Sequence, residues 1–490
     1  MDKLTDLLFA SVLGLVVLAT VTDRINALHL VLASLFLSII AFNQYDTRAH
    51  GGISPLFSLQ VGLTFALGTV LIVLVVGGLG VRTLELVSVF VLLLAFVLAR
   101  DDLGTYLPAA GPYLAAFAVL FGVFLYHARE FPAGSGLGLF AVLAGVLLAF
   151  NCFVLPRYVS ADAVYWASAT VATGTVLLAL PTLFVGDYGL WLVEVRTWDG
   201  TTTLPLLGSE FPIVRSVFAN PNTFGLLLVP GTVAAVVATR RTLRSRSVLA
   251  LVPASALPIL AFGLFLSNSR ASMLATAIGI GVYTLSTTDR RLLPVVSVAI
   301  AVAVPVFLGL LYYSILPIDP ANRFVLWRAG LEAAYRDSGP LGQGIVGTRE
   351  AIAPYLPDGA DGYTSHNSYL SIAIRTGLVG GIAYCVLVLG PLVHGAVRYE
   401  RVNAGMLALA VGFAVHQLFE GYTLFQFGPG SVLGALAVGY TIASLAPGTR
   451  SEADSAATAG GSGSDSSARS DAFGYGREVR YRTERHDERP

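Results

Sequence analysis

Charged residues, lysine and cysteine are all scarce in this sequence. Only 12% of the 490 residues are charged, whereas 55% are apolar, and a soluble globular domain usually has about a quarter of its residues charged. Lys3 is the one lysine, so arginine carries nearly all of the positive charge. The formal net charge is zero, so the charge balance gives no indication of a nucleic-acid partner. The scarcity of charge indicates a chain that is mostly embedded in a membrane.

The two cysteines, Cys152 and Cys385, both lie inside apolar runs. Such positions exclude a disulfide framework and a thiolate metal site. The first apolar run has no obvious small-residue cleavage site and is followed at once by a second run. We therefore expect it to be a retained span and not a signal peptide.

The apolar runs have the length of membrane-spanning helices. A hydrocarbon core of about 30 Å needs about 20 apolar residues in a helix, and these runs lack the alternation of barrel strands. The expected fold is therefore an all-α polytopic membrane protein with about 12 to 14 transmembrane helices. The predicted spans lie near residues 5–21, 27–42, 58–79, 84–99, 105–126, 134–155, 162–185, 222–238, 248–267, 271–287, 292–313, 366–390, 403–419 and 428–446.

Three short arginine-rich loops set the expected orientation. They are residues 240–246, 289–291 and 398–401, and short basic loops stay in the cytoplasm. Counting spans between them places both termini inside. The two long loops, residues 186–221 and 314–365, are then extracytoplasmic, as is the short turn at residues 268–270.

The chain after Pro447 changes composition. It is rich in Ser, Gly and Ala and ends in mixed charges, so it buries too little apolar surface to fold alone. We predict two parts, a transmembrane domain over residues 1–446 and a disordered cytoplasmic tail over residues 447–490.

Several arginines fall on the side that short basic loops avoid. Arg215, Arg270 and Arg323 are all expected outside, close to the membrane, where a charge is costly and often marks a substrate pathway. A guanidinium presents a planar fork of donors that matches phosphate oxygens. Converging arginines therefore suggest an anionic headgroup, plausibly a diphosphate, although snorkelling to lipid phosphates would explain any single one.

Two polar motifs open predicted spans on that outer side. In Asn220-Pro221-Asn222-Thr223, an Asn or Thr side chain fits the role of helix cap, and open N–H groups at a helix start also favour an anion. His366 and Asn367 head the span after the longest outer loop. A histidine there is either an interfacial side chain or a group that exchanges a proton near neutral pH.

Two further patterns in the last part of the chain suggest helix contacts. His416 and Glu420 are four residues apart, so they would share one helical face and pair. Gly377, Gly380 and Gly381 have a spacing typical of close helix packing.

An ordered set of motifs carries a family resemblance. NPNTFG, SNSRAS, NRFVLWRAG followed by GPLGQGIVG, and SHNSYL followed by TGLVGG begin at residues 220, 267, 322, 339, 365 and 376. Their order and spacing, over about residues 205–390, resemble the O-antigen ligase and polymerase superfamily of membrane glycosyltransferases. The large outer loop between the second and fourth motifs adds to the resemblance.

The resemblance implies a lipid-sugar-dependent (GT-C-like) helical membrane fold. The implied reaction moves a glycan from a polyprenyl diphosphate carrier to an acceptor hydroxyl at the outer face, without a metal ion or another cofactor. The acceptor would be a glycolipid, a glycan or a protein. By matching motif, His366 resembles the catalytic histidine and Arg215 and Arg270 the diphosphate-binding arginines. Possible supporting residues are Asn222, Arg323, Asn367 and Arg375, and Arg375 stands where the family often has Glu.

Two other functions remain open on the sequence. A transporter or flippase of an anionic lipid-linked glycan would use the same arginines without chemistry, although transporters often show two related halves. A metal-dependent oligosaccharyltransferase would need clustered outer acids. The acidic pair Asp101-Asp102 falls on the cytoplasmic side of the predicted topology, and Asp358 and Asp361 have the character of turn residues.

Overall fold

The structure, a computed structural model, is mostly helical. It describes residues 103–128, 148–190, 193–203, 208–313, 323–344, 347–357, 363–422 and 428–446, together with isolated positions between 31 and 42 and at 145 and 315. The α-helices are α1 (Leu103–Ala128), α2 (Leu155–Tyr158, continuing a π-helical turn at Phe150–Val154), α3 (Ala161–Ala179), α4 (Thr182–Val185), α5 (Pro221–Arg244), α6 (Leu251–Ser267), α7 (Arg270–Thr288), α8 (Leu293–Tyr312), α9 (Arg323–Arg336), α10 (Thr348–Ile352), α11 (Ser368–Val397), α12 (Ala404–Phe419) and α13 (Pro429–Ser444).

The long helices agree with the predicted spans. Within the described residues, six helices are long and apolar enough to cross a membrane, and α12 and α13 are shorter apolar helices. The observed bounds of α5, α6, α7, α11 and α12 begin within three residues of the predicted starts. The predicted spans 5–21, 58–79 and 84–99 lie outside the described residues, as do most of 27–42 and 134–155 and the tail 447–490, so the total of 12 to 14 spans remains a prediction.

The loop predicted at residues 186–221 contains strands that the sequence analysis did not anticipate. That loop holds a three-stranded antiparallel sheet in the order β1-β2-β3, formed by β1 (Tyr188–Leu190), β2 (Val193–Thr203) and β3 (Glu210–Ser216). Its strands are short and largely polar, so a search for apolar runs of membrane length does not detect them. Phe211 of β3 packs edge-on against Phe262 and Phe265 of α6, which fixes the sheet to the helices.

Helix α11 is interrupted at Gly377, and this corrects the interpretation of that glycine as a simple packing contact. Its backbone (φ 64°, ψ −166°) is not helical. A Cβ there would lie 2.3 Å from the carbonyl oxygen of Pro340, so the segment between α9 and α10 fills the break. Val379 N–H donates to the Pro340 carbonyl at 3.1 Å, and Gln343 N–H donates to the Ile374 carbonyl at 2.9 Å. This segment thus satisfies backbone groups that the break leaves open.

The arginine-rich segments at residues 240–246 and 289–291 lie together at one end of the bundle. Arg241, in the last turn of α5, forms an ion pair with Asp162 in the first turn of α3. Arg240 donates to the carbonyl of Thr287, near the end of α7, at 3.4 Å. A helix of the length of α5 extends about 36 Å at 1.5 Å per residue. The first residues of α5 and α7 are therefore at the opposite end of the bundle from these arginines.

Candidate functional site

His366, two residues before α11, has an unusual backbone conformation. Its φ is 44°, which is the left-handed region that residues other than glycine adopt rarely and that often occurs at functional sites. The next residue, Asn367, is the N-cap, and its side-chain oxygen accepts from Leu370 N–H at 3.1 Å. Ser365 Oγ donates to the Asn367 carbonyl at 3.1 Å. Hydrogen bonds on both sides therefore fix the turn that carries the imidazole.

A carboxylate from the end of α12 joins His366 to Arg323. Glu420 Oε2 lies 3.4 Å from His366 Nδ1, and Glu420 Oε1 accepts from Arg323 Nη2 at 2.7 Å. The three side chains are 11% (Glu420), 18% (Arg323) and 26% (His366) exposed. A carboxylate on Nδ1 favours the tautomer with hydrogen on that nitrogen, which leaves Nε2 free to accept a proton. The cluster thus has the composition of an oriented general base.

Hydrogen bonds with Ser368 of α11 hold the backbone around Glu420 in place. Ser368 Oγ donates to the Glu420 carbonyl at 2.7 Å and accepts from Tyr422 N–H at 3.1 Å. A Cβ on Gly421 would lie 3.7 Å from His366 Cα. The segment that carries the carboxylate therefore lies directly against the turn that carries the histidine.

His416 has a different partner from the one expected. The i, i+4 spacing suggested a pair with Glu420, but His416 Nε2 hydrogen-bonds Ser272 Oγ at 2.9 Å, and Glu420 is the C-cap of α12 with an extended backbone (φ −134°, ψ 143°). Once the helix ends, the two side chains no longer share a face. His416 therefore links α12 to the first turn of α7.

Arg270 begins α7 at the same end of the bundle. Ser269 caps this helix, and Ser269 Oγ and Ser272 Oγ are 2.8 Å apart. Because Ser272 also contacts His416, one helical turn before Glu420, the start of α7 lies close to the His366 cluster. The Arg270 side chain is exposed at that end of the bundle.

The start of α5 packs against the start of α7. A Cβ on Gly225 would lie 2.5 Å from Ser272 Oγ and 2.9 Å from Ser269 Cβ. Asn220 is the N-cap of α5 and accepts from Thr223 N–H at 2.8 Å. Asn222 is in the first helical turn and is not the cap. Four chain segments, the starts of α5, α7 and α11 and the end of α12, therefore meet at one end of the bundle.

Arg215 is directed by a β-bulge immediately before α5. Arg196 pairs with Ser216 and Thr197 pairs with Val214, so Arg215 is an extra residue in the ladder. Bulges re-aim side chains and are common beside active sites. Arg215 Nη1 donates to the Ala219 carbonyl at 3.0 Å, next to the Asn220 cap. Its Nε is shielded from solvent and has no hydrogen-bond partner within the described residues.

Asp187, just before β1, lies close enough to Arg215 for the two charges to interact. Its side chain accepts from Thr197 N–H at 2.7 Å and Thr197 Oγ1 at 2.8 Å. These two hydrogen bonds, the backbone one first, lower the pKa of Asp187, and the charges of Arg196 and Arg215 lower it further. Asp187 therefore stays ionised at neutral pH and fixes the segment before β1 to Thr197 of β2.

Arg375 is not part of the His366 cluster. It lies beside the break in α11, where its carbonyl accepts from Gly344 N–H at 3.0 Å. The negative charge of Glu350, in helix α10, interacts with the positive charge of the Arg375 guanidinium. Arg375 therefore lies at the contact between α11 and the segment that carries α10.

Clustered acids are not found in the described part of the chain, where no group of three His, Cys, Asp or Glu has a metal-binding arrangement. Asp101, Asp102, Asp358 and Asp361 all lie outside the described residues. The described residues therefore contain no acidic cluster of the kind that a metal-dependent oligosaccharyltransferase would need.

The contact of Glu420 with both His366 and Arg323 was not predicted from the sequence. The carboxylate is 54 residues from His366 and 97 from Arg323 in the chain, so no local spacing relates them. The one available signal was a lone acid at the end of an apolar span, on the side where His366 was expected.

The fold and this cluster define a multi-pass helical membrane protein with a polar, arginine-rich site at one end of its bundle. Residues 254–385 match the family model described as O-antigen ligase. The resemblance found in the motifs is therefore confirmed over this part of the chain. The matched part contains Arg270, Arg323, His366 and Arg375, whereas Arg215, Asn222 and Glu420 lie outside the matched range. No curated protein sequence matches the chain.

Proposed function

We propose that this protein transfers a glycan from a polyprenyl diphosphate carrier to an acceptor hydroxyl, in the assembly of a surface polysaccharide or glycoconjugate. The observation that carries the proposal is the His366–Glu420–Arg323 cluster beside the start of α7, largely within the range that matches the O-antigen ligase family. A flexible lipid-linked donor and a hydroxyl acceptor need an anion site and a base close together, and this end of the bundle supplies both kinds of group.

In the proposed reaction, His366 is the general base. Its Nε2 takes the proton of the acceptor hydroxyl while Glu420, at Nδ1, stabilises the imidazolium that forms. The acceptor oxygen forms a bond to the anomeric carbon of the glycan. The bond between that carbon and the diphosphate oxygen breaks, and the polyprenyl diphosphate leaves with the electron pair. The 3.4 Å distance between His366 and Glu420 is expected to shorten when substrate binds.

Arg215 and Arg270 are proposed to hold the diphosphate. Fixed donors aimed at the leaving group stabilise the charge that grows there, which contributes several kcal/mol in comparable sites. The open N–H groups at the starts of α5 and α7 add partial positive charge at the same end. These fixed charges allow transfer without a metal ion or cofactor.

We further propose that the site faces the extracytoplasmic side. The arginine-rich ends of α5 and α7 are at the opposite end of the bundle from the Asn220 and Ser269 caps, and short basic loops remain in the cytoplasm. The acceptor would then be reached outside the membrane, where surface glycans are completed.

The alternative is a flippase of an anionic lipid-linked glycan, which would use the arginines alone. A base held by a carboxylate has no evident use in a flippase, so His366 and Glu420 favour the transferase. Lipid and surface-glycan analysis of a deletion strain tests the two. A transferase deletion accumulates diphosphate-linked glycan on the outer leaflet, whereas accumulation on the inner leaflet would support the flippase and contradict our proposal.

A further inference from the structure

Trp198 is a large aromatic side chain left exposed beside the proposed diphosphate site. It is 45% exposed and lies on β2, in the outer hairpin. The guanidinium carbon of Arg215 is 5.4 Å from the centroid of its ring. The indole is thus within one side-chain length of the group proposed to hold phosphate.

Two irregularities in the sheet direct this pair of side chains. Arg215 is the extra residue of one bulge, and the register between Trp198↔Ile213 and Thr201↔Pro212 leaves two residues of β2 unmatched just after Trp198. Gly200, one of these two, has a φ of 101°, which glycine alone adopts without strain. Bulges twist a strand and re-aim its side chains, so the irregular backbone of β2 sets the direction of the Trp198 side chain.

The hairpin that presents Trp198 is fixed to the helices. Phe211 packs on α6, as described above, and Ser216 Oγ donates to the Thr175 carbonyl of α3 at 3.1 Å. Asp187 binds Thr197, the residue before Trp198, through two hydrogen bonds. An aromatic side chain on a supported strand keeps its position when a ligand arrives.

We propose that Trp198 is the subsite for the first sugar of the donor glycan, an inference that rests on the proposed transferase function. The negative face of an aromatic ring attracts positively polarised C–H groups, and one face of a pyranose ring presents several of them. The first sugar is bonded directly to the diphosphate, so its ring must lie within a few ångströms of the arginines. Trp198 meets this distance requirement at Arg215.

Trp198 has a second conceivable role, as an aromatic anchor at the membrane interface. An anchor would act on the whole protein and would not distinguish a sugar-bearing lipid from a bare one. A sugar subsite affects only the sugar-bearing donor. The two roles therefore differ in a measurable way.

The test compares two probes on the purified full-length protein in nanodiscs. One probe is undecaprenyl diphosphate without sugar, and the other is the diphosphate-linked glycan extracted from cells that lack this protein. Trp198→Ala should bind the glycan-bearing probe about tenfold more weakly, which corresponds to about 1.4 kcal/mol, and should bind the bare lipid with wild-type affinity. Trp198→Phe, which keeps an aromatic face, should recover most of the loss.

Phe184→Ala is the matched control, because Phe184 is an exposed aromatic (88%) just before the hairpin and has no role in the site. It should bind both probes as wild type does. An equal loss for both probes in Trp198→Ala, or no loss for either, would overturn the sugar subsite. If the wild-type protein bound neither probe, the proposed function itself would fail, and that outcome is distinct from both of the others.

Discussion

Glu420→Gln tests the link between the carboxylate and the histidine. Gln has the size of Glu, and its amide oxygen still accepts from Arg323, which lies 2.7 Å from Oε1. The amide nitrogen then faces His366 Nδ1, across the present 3.4 Å contact with Oε2. An N–H donor at that place favours hydrogen on Nε2, so the histidine loses the free nitrogen that the proposed reaction needs. The variant should therefore keep its fold and lose its base.

The magnitudes of the two effects separate chemistry from stability. A positioned general base contributes about 100-fold to 10,000-fold to the rate, so kcat should fall by that order. An exposed ion pair contributes about 0–1 kcal/mol, and breaking a fully buried one costs about 3–5 kcal/mol. The Arg323–Glu420 pair, 18% and 11% exposed, lies between these limits. Since Gln retains the hydrogen bond, the loss of stability should stay near the lower limit.

The assay is turnover of diphosphate-linked glycan by the purified protein, with donor affinity and thermal unfolding measured on the same sample. Glu332→Gln is the control, because this substitution removes the same charge at a residue that pairs with Arg336 on the exposed side of α9 (2.6 Å). Glu332 does not pair with His366. Glu420→Gln should lower kcat with donor KM little changed, and Glu332→Gln should change neither. Wild-type kcat in Glu420→Gln would refute the assignment of Glu420 as the partner of the base.

Three further predictions concern orientation, anion binding and the helix break. In a variant whose native cysteines are replaced, Tyr335→Cys should react with an impermeant thiol reagent in intact cells and Leu243→Cys should not; the reverse pattern would place the site in the cytoplasm. Arg215→Lys and Arg270→Lys keep the charge but lose the planar fork of donors, so transfer activity should fall at least tenfold, or about 1.4 kcal/mol. The control Arg244→Lys should keep its activity. Full activity in both the Lys and the Ala variants would leave snorkelling to lipid phosphates as the explanation for these two arginines. Gly377→Ala would put a Cβ 2.3 Å from the Pro340 oxygen, in a backbone region that costs about 1–3 kcal/mol for residues other than glycine. The unfolding temperature of this variant should therefore fall clearly, whereas that of Gly174→Ala should not, because a Cβ at Gly174 meets nothing within 4 Å. An unchanged unfolding temperature in Gly377→Ala would contradict the observed break.

The features that the sequence predicted best depend on local patterns. The starts of α5 and α11 follow from an Asn before an apolar run, with Pro221 in the first turn of α5. Apolar length predicted the long helices, because a membrane span must contain all of its backbone hydrogen bonds. The side on which His366 and the arginines were expected relied on loop charges, and it remains a prediction.

The features that the sequence did not predict depend on contacts between distant segments. Glu420 reaches His366 only because α12 ends against the start of α11. A glutamate at the end of an apolar run does not indicate which other segment it will contact. The break at Gly377 exists because the segment between α9 and α10 supplies Pro340 to fill it. Both are properties of tertiary packing, so neither periodicity nor spacing reveals them.

The most direct test of the central proposal is turnover compared with donor binding in purified His366→Ala. We predict that glycan transfer is nearly abolished, by about 100-fold to 10,000-fold, while the lipid diphosphate donor binds as tightly as to wild type, because Arg215 and Arg270 are unchanged. Turnover at the wild-type rate would show that His366 is structural and would contradict the mechanism. Loss of donor binding together with turnover would place His366 in the binding site and leave the reaction without an identified base.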